Sequence, residues 1–260
     1  MKRLFIAALL AGASAHAHAL GRLADVSIID RETGREIATH YYKGEYWIAG
    51  RPGARYAIAI RNHLGERVLA VTAVDGVNVI SGDTASWDQT GYVFGPGESY
   101  QITGWRKSNA EVAAFEFTAA PGSYAARSGR AANVGVIGIA VFRERVPLPP
   151  PAESQAVEPP LAELHTTVPA AAAPESRAMD RARSPLAEKL GTGHGEREAS
   201  SVVQTDFERL QSSPNELIRL RYDSVENLVA MGVIRAPSPL QPAPNPFPAS
   251  PLARYVPDPP

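Results

Sequence analysis

Val134-Gly135-Val136-Ile137-Gly138-Ile139-Ala140-Val141-Phe142 carries no polar side chain at any position. Two glycines argue against a helix, and β-branched residues favour an extended chain. The stretch reads as a central strand buried on both faces. Working outward, Val68 to Val74 is apolar on both parities apart from Thr72. Tyr56, Ile58 and Ile60 alternate with Ala57, Ala59 and Arg61, and Tyr100 and Ile102 with Gln101 and Thr103. Ala113, Phe115 and Phe117 share one face, with Glu116 and Thr118 on the other. The period is two, not 3.6.

Turn residues punctuate these runs: Thr33-Gly34, Lys43-Gly44, Arg51-Pro52-Gly53, Leu64-Gly65-Glu66, Asp75-Gly76, Ser81-Gly82-Asp83 and Gly95-Pro96-Gly97. About eight or nine short strands at such spacing predict a mainly β fold, an antiparallel β-sandwich.

Composition breaks near residue 146. Of the 23 prolines only Pro52, Pro96 and Pro121 precede it, while 14 of the 19 aromatic residues lie between Leu20 and Val146. Proline interrupts ladders and helices, and aromatics supply core area. Residues 20–146 are therefore the expected sandwich. Residues 147–185 read as a Pro/Ala-rich disordered linker, and 236–260 as a Pro-rich disordered tail. Between them, 186–235 read as a small β-β-α segment that docks on the sandwich. Val203, Thr205 and Phe207 are placed on one face of its first strand, and Leu217 to Tyr222 form its second. Asp223-Ser224-Val225-Glu226 reads as a capping box with Asp223 at its head. Val225, Leu228 and Val229 follow as an apolar stripe, and Gly232 closes the helix.

Lys2 and Arg3, the apolar run Leu4 to Ala15 and Ala17-His18-Ala19 have the three parts of a Sec-type signal peptide, 1–19, with cleavage after Ala19. The expected location is the periplasm or the cell exterior. The run is too short to cross a bilayer, and no transmembrane segment is expected. No cysteine is present, so disulfides, thiolate chemistry and cysteine metal sites are excluded. Net charge is −1, and −3 after loss of Lys2 and Arg3 (24 basic against 27 acidic residues), a balance without the footprint of a nucleic-acid binder.

Several runs resemble an uncharacterised family of exported proteobacterial proteins with no assigned activity. They are Val74-Asp75-Gly76-Val77-Asn78-Val79, Gly91-Tyr92-Val93, Gly104-Trp105-Arg106-Lys107-Ser108, Asn133-Val134-Gly135-Val136 and Gly191-Thr192-Gly193-His194-Gly195. The resemblance covers most of residues 56–142 and 188–234. It transfers no function, and implies that the downstream segment belongs with the sandwich.

Four residues stand out as candidates for binding: Trp105, Arg106, Trp87 and His194. Trp87, Trp105, Trp47, Tyr41, Tyr42 and Tyr46 offer aromatic surface for a glycan or peptide, with Arg106 and Lys107 as a polar rim; aromatics in a sandwich also serve as core. Gly191 to Gly195 reads as a glycine-rich loop, with Glu196 and Glu198 near His194, but lacks the strand–loop–helix context of a nucleotide loop. Asp75, Asn78 and Asp83, with Asp88, are candidate oxygen ligands for calcium, although Asp75-Gly76 is also a hairpin turn signal. No catalytic elbow, Cys/His pair or paired zinc histidines occur. No cofactor is implied.

The leading expectation is an exported protein that acts by binding or as a structural envelope component, its partner an envelope protein, a peptide or a glycan. One alternative is a hydrolase or metal-dependent enzyme centred on His194 and the Asp75–Asp88 loops. Another is a subunit of a surface assembly.

Overall fold

The computed structural model describes residues 20–145 and 188–235. The readings made for the signal peptide, the linker and the tail lie outside the described residues. No helix among the described residues is long and apolar enough to cross a membrane.

The protein is mainly β. The strands are β1 (Ala24–Asp30), β2 (Thr39–Tyr42), β3 (Glu45–Gly50), β4 (Arg55–Asn62), β5 (Val68–Val74), β6 (Val77–Asn78), β7 (Tyr92–Phe94), β8 (Ser99–Ile102), β9 (Gly104–Arg106), β10 (Glu111–Ala119), β11 (Val136–Arg143), β12 (Leu190–Ala199) and β13 (Glu216–Ser224). Two short helices complete the set, α1 (Tyr124–Arg127) and α2 (Val225–Ala230). The excess over nine strands comes from pieces of two to four residues such as β6, β7 and β9, too short for a period to register.

One sheet runs β1-β4-β10-β12, with β8 and β9 wedged beside β4 and β10. The other runs β2-β3-β13-β11-β5-β6, with β7 beside β5. They pack as a sandwich. Period-two alternation explains the core: Ile28, Ile58, Ile60, Phe115 and Phe117 from one sheet meet Ile48, Ile137, Ile139, Val141, Leu220 and Tyr222 from the other. β11 lies between β13 and β5, as its unbroken apolar sequence predicts. Its second face, Ala140 and Phe142, packs with Leu69 and Val71 under Phe207.

An aromatic file runs through this core. Trp105 meets Phe115 edge-on at 5.2 Å, Phe115 stacks on Tyr56 at 5.3 Å, Tyr56 on Phe117 at 4.3 Å, and Phe117 reaches Tyr222 at 5.4 Å. Offset and edge-on geometries of this kind add to area burial.

The downstream segment is woven into both sheets. β12 pairs with β10 from Leu190↔Ala119 to Ala199↔Glu111. β13 is antiparallel to β11 and parallel to β3, where Tyr222 faces Ile48. Three readings are corrected here. Gly191 to Gly195 is part of strand β12 and not a loop. Residues 200–208 form no strand, and Val203 is 92% exposed. The helix cap is Ser224, whose side chain accepts the Asn227 amide, while Asp223 accepts from Leu190 N (3.2 Å) and Asn227 Nδ2 (2.9 Å).

Candidate functional site

Asp75 and Gly76 have φ of 53° and 74°, the left-handed pair that a two-residue hairpin turn requires, and Val74 faces Val77 across it. The turn delivers the Asp75 carboxylate into the core. Its Oδ1 accepts from Gly135 N (2.8 Å) and the Tyr222 hydroxyl (2.6 Å), and its Oδ2 from Thr192 N (2.8 Å). Thr192 Oγ1 lies 2.7 Å from both the Tyr222 and the Tyr56 hydroxyls. With Asp75 ionised, Tyr222 spends its proton on the carboxylate. Thr192 then donates to Tyr222, and Tyr56 to Thr192. Burial pushes the Asp75 carboxyl above its ordinary range, against the pull of these donors, and pushes both tyrosines well up. The network is a structural clasp between the turn and the downstream strands.

The cation-ligand reading of this region is corrected by the same geometry. Asp75 and Asn78 are buried and spoken for, Asn78 Oδ1 accepting from Ile80 N (2.8 Å) and Ser81 N (3.2 Å). Asp83 is exposed on its loop. Among the described residues no group of three or more His, Asp or Glu is placed to hold a metal ion.

The four candidate binding residues lie in four separate settings. Trp105 is 3% exposed, a core residue whose indole donates to Gly193 O at 3.0 Å. Trp87 is 53% exposed on the outer face of the second sheet, beside a shallow shelf of about 310 Å³ floored by Val71, Ala73, Gly138 and Ala140 and flanked by Leu217. His194 is on β12 opposite Phe115, in a hollow with Tyr124, Arg127 and Ser128 and with none of Asp75, Asp83 or Asp88. Arg106 lines a groove of about 640 Å³, within the range of small-molecule and peptide sites.

That groove lies between β7 and β8, at the margins of the two sheets, and residues 201–206 cross it as a strap. Tyr92 and Tyr100, rings 6.0 Å apart, line it with Glu98 and Asn109. Arg106 fastens one end of the strap: its guanidinium donates to Ser200 O, to Ser200 Oγ (3.1 Å) and to Tyr92 Oη (3.1 and 3.2 Å). The Tyr100 hydroxyl is 2.9 Å from Ser200 Oγ, and Val202 N donates to Asn109 O at 2.8 Å. Arg67 fastens the other end, donating to Thr205 Oγ1 (3.3 Å) and Asp206 O (3.0 Å). Between these fastenings Val203 projects into solvent. Burial raises the Tyr92 hydroxyl, and the Arg106 charge beside it acts in the opposite sense.

No family model, curated protein or solved structure matches the chain. Sequence reasoning singled out Arg106 but not Tyr92 or Tyr100. Their only signal was position, on either side of the Gly95-Pro96-Gly97 turn that folds β7 back toward β8.

Proposed function

We propose that the protein is exported to the cell envelope and acts there by binding, with the strapped groove taking an extended segment of a partner polypeptide. The observation that carries this reading is the groove itself. It has an aromatic lining, an edge strand on the β7 side and an irregular strap of mostly exposed residues opposite. Such surroundings suit strand addition, in which main-chain hydrogen bonds give affinity and side-chain pockets give selectivity. The signal-peptide reading of residues 1–19, the balanced charge and the resemblance to exported proteins support the envelope setting.

Pull-down from periplasmic extract with the mature chain, beside a Tyr100→Ala variant of matching circular dichroism, tests the reading. A partner captured by the wild type and lost with the variant is expected; identical captures sink the groove assignment. N-terminal sequencing of the fractionated protein should begin at Leu20, and a cytoplasmic chain starting at Met1 sinks the envelope assignment.

The apolar shelf beside Trp87 favours a second reading, a subunit of a surface assembly. A mass above that of the monomer in size-exclusion chromatography would support it.

A further inference from the structure

Helix α1 and strand β12 enclose a hollow of about 330 Å³ walled by Tyr124, Arg127, Ser128 and His194. The Tyr124 ring lies 6.0 Å from the imidazole at 29°, which makes one flat wall. The opening is cationic. Lys107 just after β9, Arg127 on α1 and Arg197 on β12 all act on His194 as like charges. Arg197 is paired with Glu111 at 3.5 Å. Lys107 and Arg127 make no ion pair and no side-chain hydrogen bond among the described residues. Arg31, Arg55, Arg67, Arg143 and Arg221, by contrast, each hold a carboxylate. The hollow thus has an imidazole and an open guanidinium in its wall and an open ammonium acting on it from nearby.

An exposed guanidinium presents a planar fork that matches oxyanions, and a hollow with a surplus of cations concentrates them. The charge count selects among anions. Lys107 and Arg127 supply two positive charges, and burial with the neighbouring cations keeps His194 below its ordinary value, hence neutral at pH 7 and still able to donate one N–H. A carboxylate would leave one charge open. A phosphate monoester carries about −1.5 to −2 at neutral pH and closes the balance.

We propose that this hollow is a phosphate site, holding a phosphate monoester group with Arg127 as fork, Ser128 and His194 as further donors from its walls, and the Lys107 charge nearby. It stands apart from the groove, and the failure of either leaves the other intact. The group can be free in solution or borne on a lipid headgroup, and the test separates the two.

The His194 imidazole is titrated by NMR in the mature chain with and without inorganic phosphate, at matched ionic strength against acetate. A bound dianion favours the imidazolium, so phosphate should move the His194 titration to higher pH while acetate leaves it in place. In Arg127→Ala the shift should vanish and phosphate binding weaken about tenfold, the loss of one charge-assisted contact. Arg127 is exposed and unpaired, so its variant keeps the fold, and circular dichroism checks this. Co-sedimentation with phosphatidic acid vesicles against phosphatidylcholine vesicles tells the sources apart. Free phosphate binding without sedimentation assigns a soluble ligand, and sedimentation assigns a headgroup. Absence of both, or equal binding by Arg127→Ala, overturns the proposal.

Discussion

Thr192→Val should be among the more costly single-atom-scale changes in this chain. Valine keeps the shape and strand preference of threonine, so the loss falls on the hydroxyl. In the relay Tyr56 to Thr192 to Tyr222 to Asp75, Thr192 Oγ1 accepts from Tyr56 and donates to Tyr222 at 2.7 Å each. Its removal strands the Tyr56 hydroxyl, which is fully buried and has that one partner among the described residues. An orphaned buried donor costs about 1–3 kcal/mol. Taking about 2 kcal/mol, and a urea dependence of about 2 kcal/mol per M for a domain of this size, the midpoint falls by about 1 M. Tyr56→Phe deletes the donor at the far end and strands nothing that must donate, so it should cost only about 0.5–1.5 kcal/mol. The double variant should be no worse than Thr192→Val, a coupling of about 1 kcal/mol in the cycle. Trp105 is a convenient reporter, since its indole donates to Gly193 O, one residue along the strand. A midpoint shift for Thr192→Val below about 0.2 M, or strictly additive single costs, would refute the relay.

Thr72 is buried in β5 and its hydroxyl has no hydrogen-bond partner among the described residues, so Thr72→Val should raise the unfolding free energy by about 1 kcal/mol in the same assay. A Cβ on Gly104 would lie 2.1 Å from Ala113 O, whereas one on Gly138 meets nothing within 4 Å. Gly104→Ala should therefore cost about 1–3 kcal/mol and Gly138→Ala stay within about 0.5 kcal/mol; equal melting temperatures for the two would contradict the packing. Asp75 is raised in the folded chain above its ordinary 3.8, so its contribution is full below that value and declines as pH rises through the folded one. The stability of the wild type relative to Asp75→Asn should accordingly shrink as pH rises above about 4, and a growing difference would reverse the assignment.

The sandwich was legible where one strand buries a continuous or alternating set of side chains: Val68–Val74 and Val136–Arg143 coincide with or overlap runs read from unbroken apolarity, and Arg55–Asn62 overlaps one read from alternation. β12 was not legible, because the cause of its glycines lies elsewhere in the chain. A Cβ on Gly191 would sit 2.7 Å from Ser123 Cβ and 2.8 Å from Val134 Cγ1, and one on Gly195 would sit 2.9 Å from Ala114 O. Close approach of non-local neighbours, not a loop, is what removes the side chains. Asp223 misled for a related reason: it stands one residue before the cap and staples β12 to β13 instead. At the candidate groove Arg106 was visible as a polar residue in an aromatic context. Its partner Ser200, 94 positions away, was not. Trp105 illustrates the limit of composition, since its ring joins the core file while its neighbour Arg106 reaches the groove.

The downstream strands also decide which parts of the chain can be varied to study binding. Without β13 the second sheet divides into β2-β3 on one side and β11-β5-β6 on the other. Leu190, Ile218, Leu220, Tyr222 and Leu228 are all 6% exposed or less, and burial of a large apolar side chain contributes about 1.5–3 kcal/mol. Those five together match the whole stability of a typical domain, about 5–15 kcal/mol. Removal of the segment would also strip the Asp75 carboxylate of two of its three donors, Thr192 N and the Tyr222 hydroxyl. A truncation that ends at residue 145 therefore reports on folding and not on recognition. Substitution of Val203 is the opposite case: at 92% exposure it carries no core contact, so a change there that alters partner capture without altering the unfolding midpoint would be a change in binding alone.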